Sequence, residues 1–241
     1  MVGDEHSDYK SSIRAKFLGL LQKMQREDLT TGDKAAVFIA NAISAAHLFP
    51  HVEIIRAAIY ELTAPPRSAL RGLRDLQVRQ GTPDDLPRLI GLGEDGDNQR
   101  DELERRFARG DLCYLGLRGD RVLCQSWFHR GPRPFDEDSP RLALWNLDAQ
   151  SYWSYAALAA IEARASGIFV KVFHTALTEL FKLHGARRVI CRVRADNQPS
   201  RLLHDRMGFH RLGTLTALLT PVGRVLRYRG AGGAAQWLVP A

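Results

Sequence analysis

Residues 161–209 read IEARASGIFVKVFHTALTELFKLHGARRVICRVRADNQPSRLLHDRMGF, and this stretch decides the fold. A turn of small residues (Ala165, Ser166, Gly167) leads into a run where Phe169, Val172, Phe173, Ala176, Leu177, Leu180 and Phe181 recur at helical intervals until Gly185 closes it. The next segment alternates like a strand: Val189, Cys191, Val193 and Ala195 fall on one side, Arg188, Ile190, Arg192 and Arg194 on the other. A second helix follows, with Asp196 or Asn197 as its cap, Pro199 in its first turn and Gly208 at its end. A helix N-terminus fed by a glycine turn leaves backbone N–H groups unpaired beside the positive end of the helix dipole, which suits a pyrophosphate. Gly167 permits close approach there, and Arg164 adds a full charge.

Outward from this stretch the pattern stays mixed. LRDLQVRQG (73–81) predicts a strand, TPDDLPRLIGLG (82–93) a helix capped by Thr82, and NQRDELERRFARG (98–110) a charged helix ending at Gly110. LCYLGLRGDRVLCQSWFHR (112–130) predicts a hairpin turning at Arg118, Gly119 and Asp120, and 131–140 a loop. RLALWNL (141–147) and SYWSYAALAAI (151–161) predict further strands, and 209–219 with 224–230 a closing strand pair. The class is α/β (α+β) with one central sheet. Before Arg71 three helices are expected, over 11–27, 30–48 and 51–62, the last ended by Pro65-Pro66. The expected organisation is a helical extension over 1–70, a sheet domain over 71–232 and a loosely held tail over 233–241. The extension would pack on the domain or make an oligomer contact, a homodimer being one form of it.

Composition narrows the function classes. The chain has 241 residues, 45% hydrophobic and 25% charged, enough apolar surface to exclude a disordered chain. Cys113, Cys124 and Cys191 sit in apolar runs without metal-ligand spacing, so they read as buried small residues, with neither a disulfide framework nor a metal expected. The longest apolar stretch, Ala35 to Phe49, is interrupted by Asn41, Ser44 and His47 and is too short to cross a hydrocarbon core of about 30 Å. The opening residues, MVGDEHSDYK, lack a basic then apolar leader, so a soluble cytoplasmic protein is the default reading. Net charge is +7, and from Glu162 onward only Glu162, Glu179, Asp196 and Asp205 oppose thirteen lysines and arginines. Such a half attracts an anion: a phosphorylated cofactor, an acidic carrier protein or nucleic acid. Zinc-finger spacing and a helix-turn-helix are missing, so nucleic acid is not the expected partner.

The two blocks of the opening stretch together resemble the GNAT superfamily of acyl-CoA-dependent N-acyltransferases. In that family a strand ends in a Q/R-x-x-G-x-G/A signature, and an N-x-x-[SA]-x-x-[LF]-Y-x-x-x-G-F block follows. Arg164, Gly167, Asn197, Ser200, Gly208 and Phe209 match, and the resemblance covers roughly Leu76 to Gly230. It implies the GNAT fold, a central mixed and mostly antiparallel sheet flanked by helices, with acetyl-CoA or another acyl-CoA as donor. The acceptor would be a small-molecule or protein amine. The bend from Ile161 onward would hold the pyrophosphate on the amides of Ala165, Ser166, Gly167, Ile168 and Phe169, with Arg164, Asn197 and Ser200 beside them. A strand N–H near Ala159 or Ala160 would steady the thioester carbonyl oxygen.

Three departures stand out. Phe169 occupies a position where the family has glycine or alanine. His204 stands where the family carries a tyrosine that protonates the departing thiolate, and histidine can also donate a proton. The strand at 151–161 holds no carboxylate until Glu162 follows it, and Asp148 precedes it; either could be the base, directly or through water. Trp127, Phe128, Trp145, Trp153 and Tyr155 would line an acceptor or acyl pocket or form sheet core. Arg187, Arg188, Arg192, Arg194 and Arg201 would suit an acyl carrier protein delivering a long chain, or form a solvated basic face. A catalytically inactive GNAT-fold binding or regulatory module is the alternative.

Overall fold

The computed structural model describes residues 53–67, 73, 75–90, 92, 100–132, 147–164, 166–220, 223–231 and 235–238. The helices expected over 11–27 and 30–48, most of the 131–140 loop, the strand at 141–147 apart from Leu147, and any dimer contact of the first helices lie outside these residues.

Nine strands are described: β1 (Glu53–Leu62), β2 (Gln77–Gln80), β3 (Leu112–Arg118), β4 (Arg121–Arg130), β5 (Ser151–Ala159), β6 (Arg188–Arg194), β7 (His210–Thr220), β8 (Gly223–Gly230) and β9 (Ala235–Leu238). The helices are α1 (Leu86–Ile90), α2 (Arg100–Arg109), α3 (Ile168–Lys182) and α4 (Gln198–Met207). The described residues of Ala57–Thr214 form one compact unit, and those from Leu215 onward belong to a second. Within the larger unit the strand order is β2-β3-β4-β5-β6-β1, with the start of β7 beyond β1. Every pairing whose register is defined there is antiparallel except β5 with β6. The sheet is therefore mixed and mostly antiparallel, as expected.

The helix expected over 51–62 is instead strand β1, paired antiparallel to β6 from Ala57↔Arg194 to Leu62↔Val189. A short apolar run buried on both faces has no period of its own to separate helix from strand. Ala57, Ala58, Ile59 and Tyr60 are all buried in succession, so the docking partner decided the outcome. In the smaller unit β8 pairs antiparallel with β9, so the segment expected to be a loose tail contains a ladder from Leu226↔Leu238 to Arg229↔Ala235.

Residues 161–209 fold as expected, helix α3, strand β6 and helix α4 in turn. In α3 the buried residues are Ile168, Val172, Phe173, Ala176, Leu177 and Leu180. Phe173 stacks between Phe128 of β4 at 6.0 Å and Phe169 at 5.3 Å, a row of rings on one side of the sheet. Each fully buried ring of this kind contributes roughly 1.5–3 kcal/mol. The helix sits close because Gly116 of β3 has no side chain: a Cβ there would lie 2.5 Å from Val172. Asn197 caps α4, its Oδ1 accepting from the Ser200 N–H at 3.1 Å, and Gly208 ends it in the left-handed region at φ 93°.

Candidate active site

β5 and β6 run parallel, but their ladder lasts only from Ser151↔Arg188 to Ser154↔Cys191. Beyond it β5 follows β4 as far as Ala159↔Cys124, while β6 follows β1 as far as Arg194↔Ala57. The two strands therefore part, and a wedge opens in the middle of the sheet. β5 also bulges there. Between the pairs Trp127↔Tyr155 and Gln125↔Leu158 it has two residues, Ala156 and Ala157, opposite the single Ser126. Ala156 is left-handed at φ 45°, which costs an L-residue roughly 1–2 kcal/mol and turns its peptide out of the regular ladder.

Two clefts meet at this wedge. The smaller, about 210 Å³, is lined by Trp153–Ala157 of β5, Cys191–Arg194 of β6, Phe169 and Phe173 of α3, and Asn197, Ser200 and His204. The larger, about 800 Å³, runs between Ala157–Ala159, the turn before α3, and α4, where Gln198, Leu202, Leu203 and Arg206 line it. Ala157, Phe169, Asn197 and Ser200 line both, so the clefts are continuous.

The turn feeding α3 is a 3-10 segment, Ile161–Ala163, followed by Arg164 and the left-handed Gly167 at φ 82°. Part of it is tied internally. Ser166 Oγ donates to the Ala163 carbonyl at 2.5 Å and accepts from the Ile168 N–H at 3.4 Å, and the Ser166 N–H reaches Ala163 at 3.4 Å. The first amide to bond within the helical ladder is Lys171, to Gly167. The N–H groups of Gly167, Phe169 and Val170 thus have no protein acceptor among the described residues, as the start of a helix requires. The anion-binding amides expected at 165–169 are narrowed accordingly: Ser166 and Ile168 are engaged, Val170 joins the set, and Ala165 lies outside the described residues. Arg164 and Arg206, both exposed, put two guanidinium groups on the larger cleft. Sequence reading missed Arg206; it lies on the next helix, far along the chain from the glycine turn, and no local signal marks it.

Other expected site residues lie differently. The Ala160 N–H is spent on the Leu123 carbonyl at 2.9 Å, and Ala159 is held in the ladder with Cys124, so neither is the open strand amide expected there, and the irregular part of β5 is the bulge at Ala156 and Ala157. Ile161 is 63% exposed and lines neither cleft. Glu162 is at the surface in an ion pair with Arg121. Asp148 is exposed at the opposite end of β5, where its Oδ1 accepts from Ser151 Oγ at 2.7 Å and the Gln150 N–H at 2.9 Å. Those hydrogen bonds hold its carboxyl below the usual range. The structure brings neither carboxylate to the wedge, and among the described residues neither cleft is lined by any carboxylate.

His204 does reach the smaller cleft, but as a packed ring. It is 4% exposed, lies 4.8 Å from Phe209, 5.4 Å from Phe173 and 5.6 Å from Tyr60, and its Nδ1 donates to the Ser200 carbonyl at 2.6 Å. Burial pushes its pKa down. The result is a neutral ring whose one proton is engaged, and such a ring accepts a proton at Nε2 but has none to give there. Phe169 turns its ring onto Phe173 and borders both clefts at their junction. Cys191 lines the smaller cleft as a thiol, its pKa raised by complete burial.

The largest feature missing from the sequence reading is a buried polar cluster behind Tyr155. Tyr155 OH donates to Asp111 Oδ2 at 2.5 Å, His129 Nδ1 donates to Asp111 Oδ1 at 2.7 Å, and Arg109 reaches Asp111 Oδ2 at 2.6 and 2.9 Å. Burial alone would raise the Asp111 carboxyl, but the hydrogen bonds from His129, Arg109 and Tyr155 outweigh it and hold the group below its ordinary value. Arg106 lies over the rings of Trp127 at 5.4 Å and Tyr155 at 5.1 Å. Of the aromatic set, Trp127 and Phe128 are core, Trp153 and Tyr155 line the smaller cleft, and Trp145 lies outside the described residues.

A mixed sheet parted between parallel strands, with a helix N-terminus beside the parting, is the architecture of the GCN5-related N-acetyltransferases (GNAT), and the chain has that fold. Among solved structures it is similar to a GCN5-related N-acetyltransferase from Sphaerobacter thermophilus (TM-score 0.50, 14% identity, covering 79% of this chain and 56% of that one). It is also similar to a protein from Drosophila (TM-score 0.50, 12% identity, covering 82% and 60%) and a GNAT-family acetyltransferase from Novosphingobium aromaticivorans (0.49, 13%, 70% and 65%). The chain thus spans somewhat under two thirds of the length of each. By sequence it matches no family model and no curated protein. Among the described residues no helix is long and apolar enough to cross a membrane.

Proposed function

We propose that the chain transfers an acyl group, acetyl in the simplest case, from acyl-CoA to an amine. The observation that carries this reading is the meeting of the two clefts at Ala157 and Phe169, with unpaired helix amides in one and a strand bulge in the other. The residues present fit the donor. The amides of Gly167, Phe169 and Val170 would hold its pyrophosphate, Arg164 and Arg206 would balance its charge, and Leu202 and Leu203 would contact its less polar limb. When bound, the donor supplies an activated thioester carbonyl in the wedge. The peptide between Ala156 and Ala157 then offers an N–H where negative charge develops on that oxygen. The ring of His204 borders the reacting carbon's space as a neutral wall, the proton lost by the amine passes to solvent, and the thiolate leaves without a proton from the ring. Asp148 and Glu162 act as surface carboxylates. The acyl-CoA pool that such an enzyme draws on is cytoplasmic.

The test is binding of the donor. CoA and acetyl-CoA titrated into the full chain should raise its melting temperature, by an amount equivalent to about 2.7 kcal/mol at a hundredfold excess over Kd. No shift at millimolar CoA refutes the reading. Among the described residues neither cleft is lined by a carboxylate, which also favours a second reading, a GNAT-fold module that binds CoA without turnover. Release of free thiol across a panel of amines separates the two. The basic residues Arg187 and Arg201 keep an acyl carrier protein in view as donor, and replacing acetyl-CoA by acyl carrier thioesters in the same assay tests it.

A further inference from the structure

We infer that Tyr155, anchored by Asp111, is a positioning residue for acyl transfer: its hydroxyl pins the register of β5 and so places the bulge at Ala156 and Ala157. This rests on the acyl-transfer reading above, in which the bulge peptide steadies the thioester oxygen. Trp127 pairs with Tyr155 and Gln125 with Leu158, so Tyr155 and Leu158 share a face of the sheet although they are three residues apart. One residue too many lies between them. Were that extra residue moved back along β5 past Tyr155, the tyrosine would turn to the opposite face.

Both sides of the bulge are held. Before it, Tyr155 OH donates to Asp111 Oδ2 at 2.5 Å, and the tyrosine ring lies under the Arg106 guanidinium at 5.1 Å. Asp111 is itself fixed, by His129 Nδ1 at 2.7 Å and by Arg109 at 2.6 and 2.9 Å. After it, the Ala160 N–H donates to the Leu123 carbonyl at 2.9 Å. The extra residue is thereby confined to the segment between the two anchors. No side chain of β4 ties it down there. Ser126, the residue opposite, is fully buried, and its Oγ has no hydrogen-bond partner among the described residues. Ala156 meanwhile is left-handed at φ 45°, a conformation that an alanine leaves when it can. Such a residue stays put only where its surroundings over-determine it. The Asp111–Tyr155 bond is the anchor with most to lose, because withdrawing the phenol leaves a buried carboxylate short of a donor. The cluster touches no reacting atom; what it sets is the direction in which the peptide between Ala156 and Ala157 points.

The full chain, isotopically labelled at its alanines, tests this by NMR and kinetics together. In the wild-type chain the Ala156 carbon shifts should report a left-handed residue. Tyr155→Phe, which keeps the ring under Arg106, should move them toward extended values, and Asp111→Asn should do the same. Thiol release from acetyl-CoA with hydroxylamine, a small neutral nucleophile, should fall about tenfold in kcat in either variant, with Kd for CoA by calorimetry within about twofold. In an Ala156→Gly chain, where glycine takes the left-handed turn without strain, Tyr155→Phe should cost at most about threefold. A hydroxyl that only stabilised the fold would cost the same in both chains. Ala156 shifts that stay in place in both variants overturn the inference. So does a kcat loss that Ala156→Gly leaves unchanged, or a loss of CoA affinity as large as the loss of kcat. The two levels separate cleanly: if the wild-type chain does not bind CoA, the acyl-transfer reading falls, and the alanine shifts alone decide whether Tyr155 holds the bulge. The shifts decide equally if CoA binds and hydroxylamine is not acylated. Should Asp111→Asn fail to fold, Tyr155→Phe carries the test.

Discussion

The two clefts that meet at Phe169 are built from different materials. The larger one offers main-chain N–H groups and small residues, and its two guanidinium groups stand at the sides. The smaller one is made of side chains, including Trp153, Tyr155, Arg192 and His204. A ligand whose binding part never changes can be held by backbone, which tolerates drift in sequence. A ligand that defines specificity has to be met by side chains, because only they differ from one protein to the next.

The sharpest break should come behind the smaller cleft. Asp111→Ala leaves the half-buried Arg109 and the buried His129 and Tyr155 around a missing anion, a loss of about 3–5 kcal/mol. For a domain of this size that lowers the melting temperature by roughly 10 °C in a thermal melt. A change below about 1 kcal/mol would show that the cluster is not what holds Tyr155. On the larger cleft, Arg164→Ala combined with Arg206→Ala should weaken CoA about 10- to 100-fold by calorimetry, with KM for the acceptor within about twofold. Equal damage to both constants would mean that the clefts are not separate in function.

At the junction, Phe169→Ala should widen the passage and raise the butyryl-CoA to acetyl-CoA ratio of kcat/KM by about three- to tenfold; an unchanged ratio removes Phe169 from the passage. The smallest effect is expected for His204→Phe. A neutral ring replaced by another neutral ring should keep kcat within about threefold, whereas loss of a working acid or base would cost about 10²- to 10⁴-fold. A pH profile of the variant that loses a limb near the histidine range would restore a proton-transfer role.

Acid should act through carboxylates that line neither cleft. Asp85 is held at about 2, chiefly by hydrogen bonds from Arg79 at 2.7 and 2.6 Å, and Asp111 is also held low. Both favour the folded state while ionised. Their contribution is complete above the unfolded carboxyl value near 4 and is lost as pH falls from there toward 2. Unfolding followed by circular dichroism between pH 5 and 2 should show the loss, and Asp111→Asn should flatten its slope.

Much of this was readable from residues 161–209, because Gly167, Asn197, Pro199 and Gly208 act locally: each is needed by the turn or cap in which it sits. Phe169 was visible as an exception for the same reason. β1 was misread because its burial on both faces erases the periodicity that names an element. The Asp111 cluster was invisible because its members come from α2, β4 and β5 and meet only through pairing. The bulge at Ala156 was hidden for a similar reason: a register shift belongs to two strands, and neither sequence alone contains it.

β1 also bears on how the protein is made. Residues 57–62 leave the ribosome well before their partner on β6, which is synthesised more than a hundred residues later. Until then a two-sided apolar strand waits with both edges unsatisfied, the state most prone to pair with a neighbouring nascent chain. The wall formed by β6 therefore has its β1 neighbour only once the two distant segments have zipped together. Any deletion near the start of the chain that removes Ala57–Leu62 should be felt first as aggregation, before any loss of chemistry can be measured.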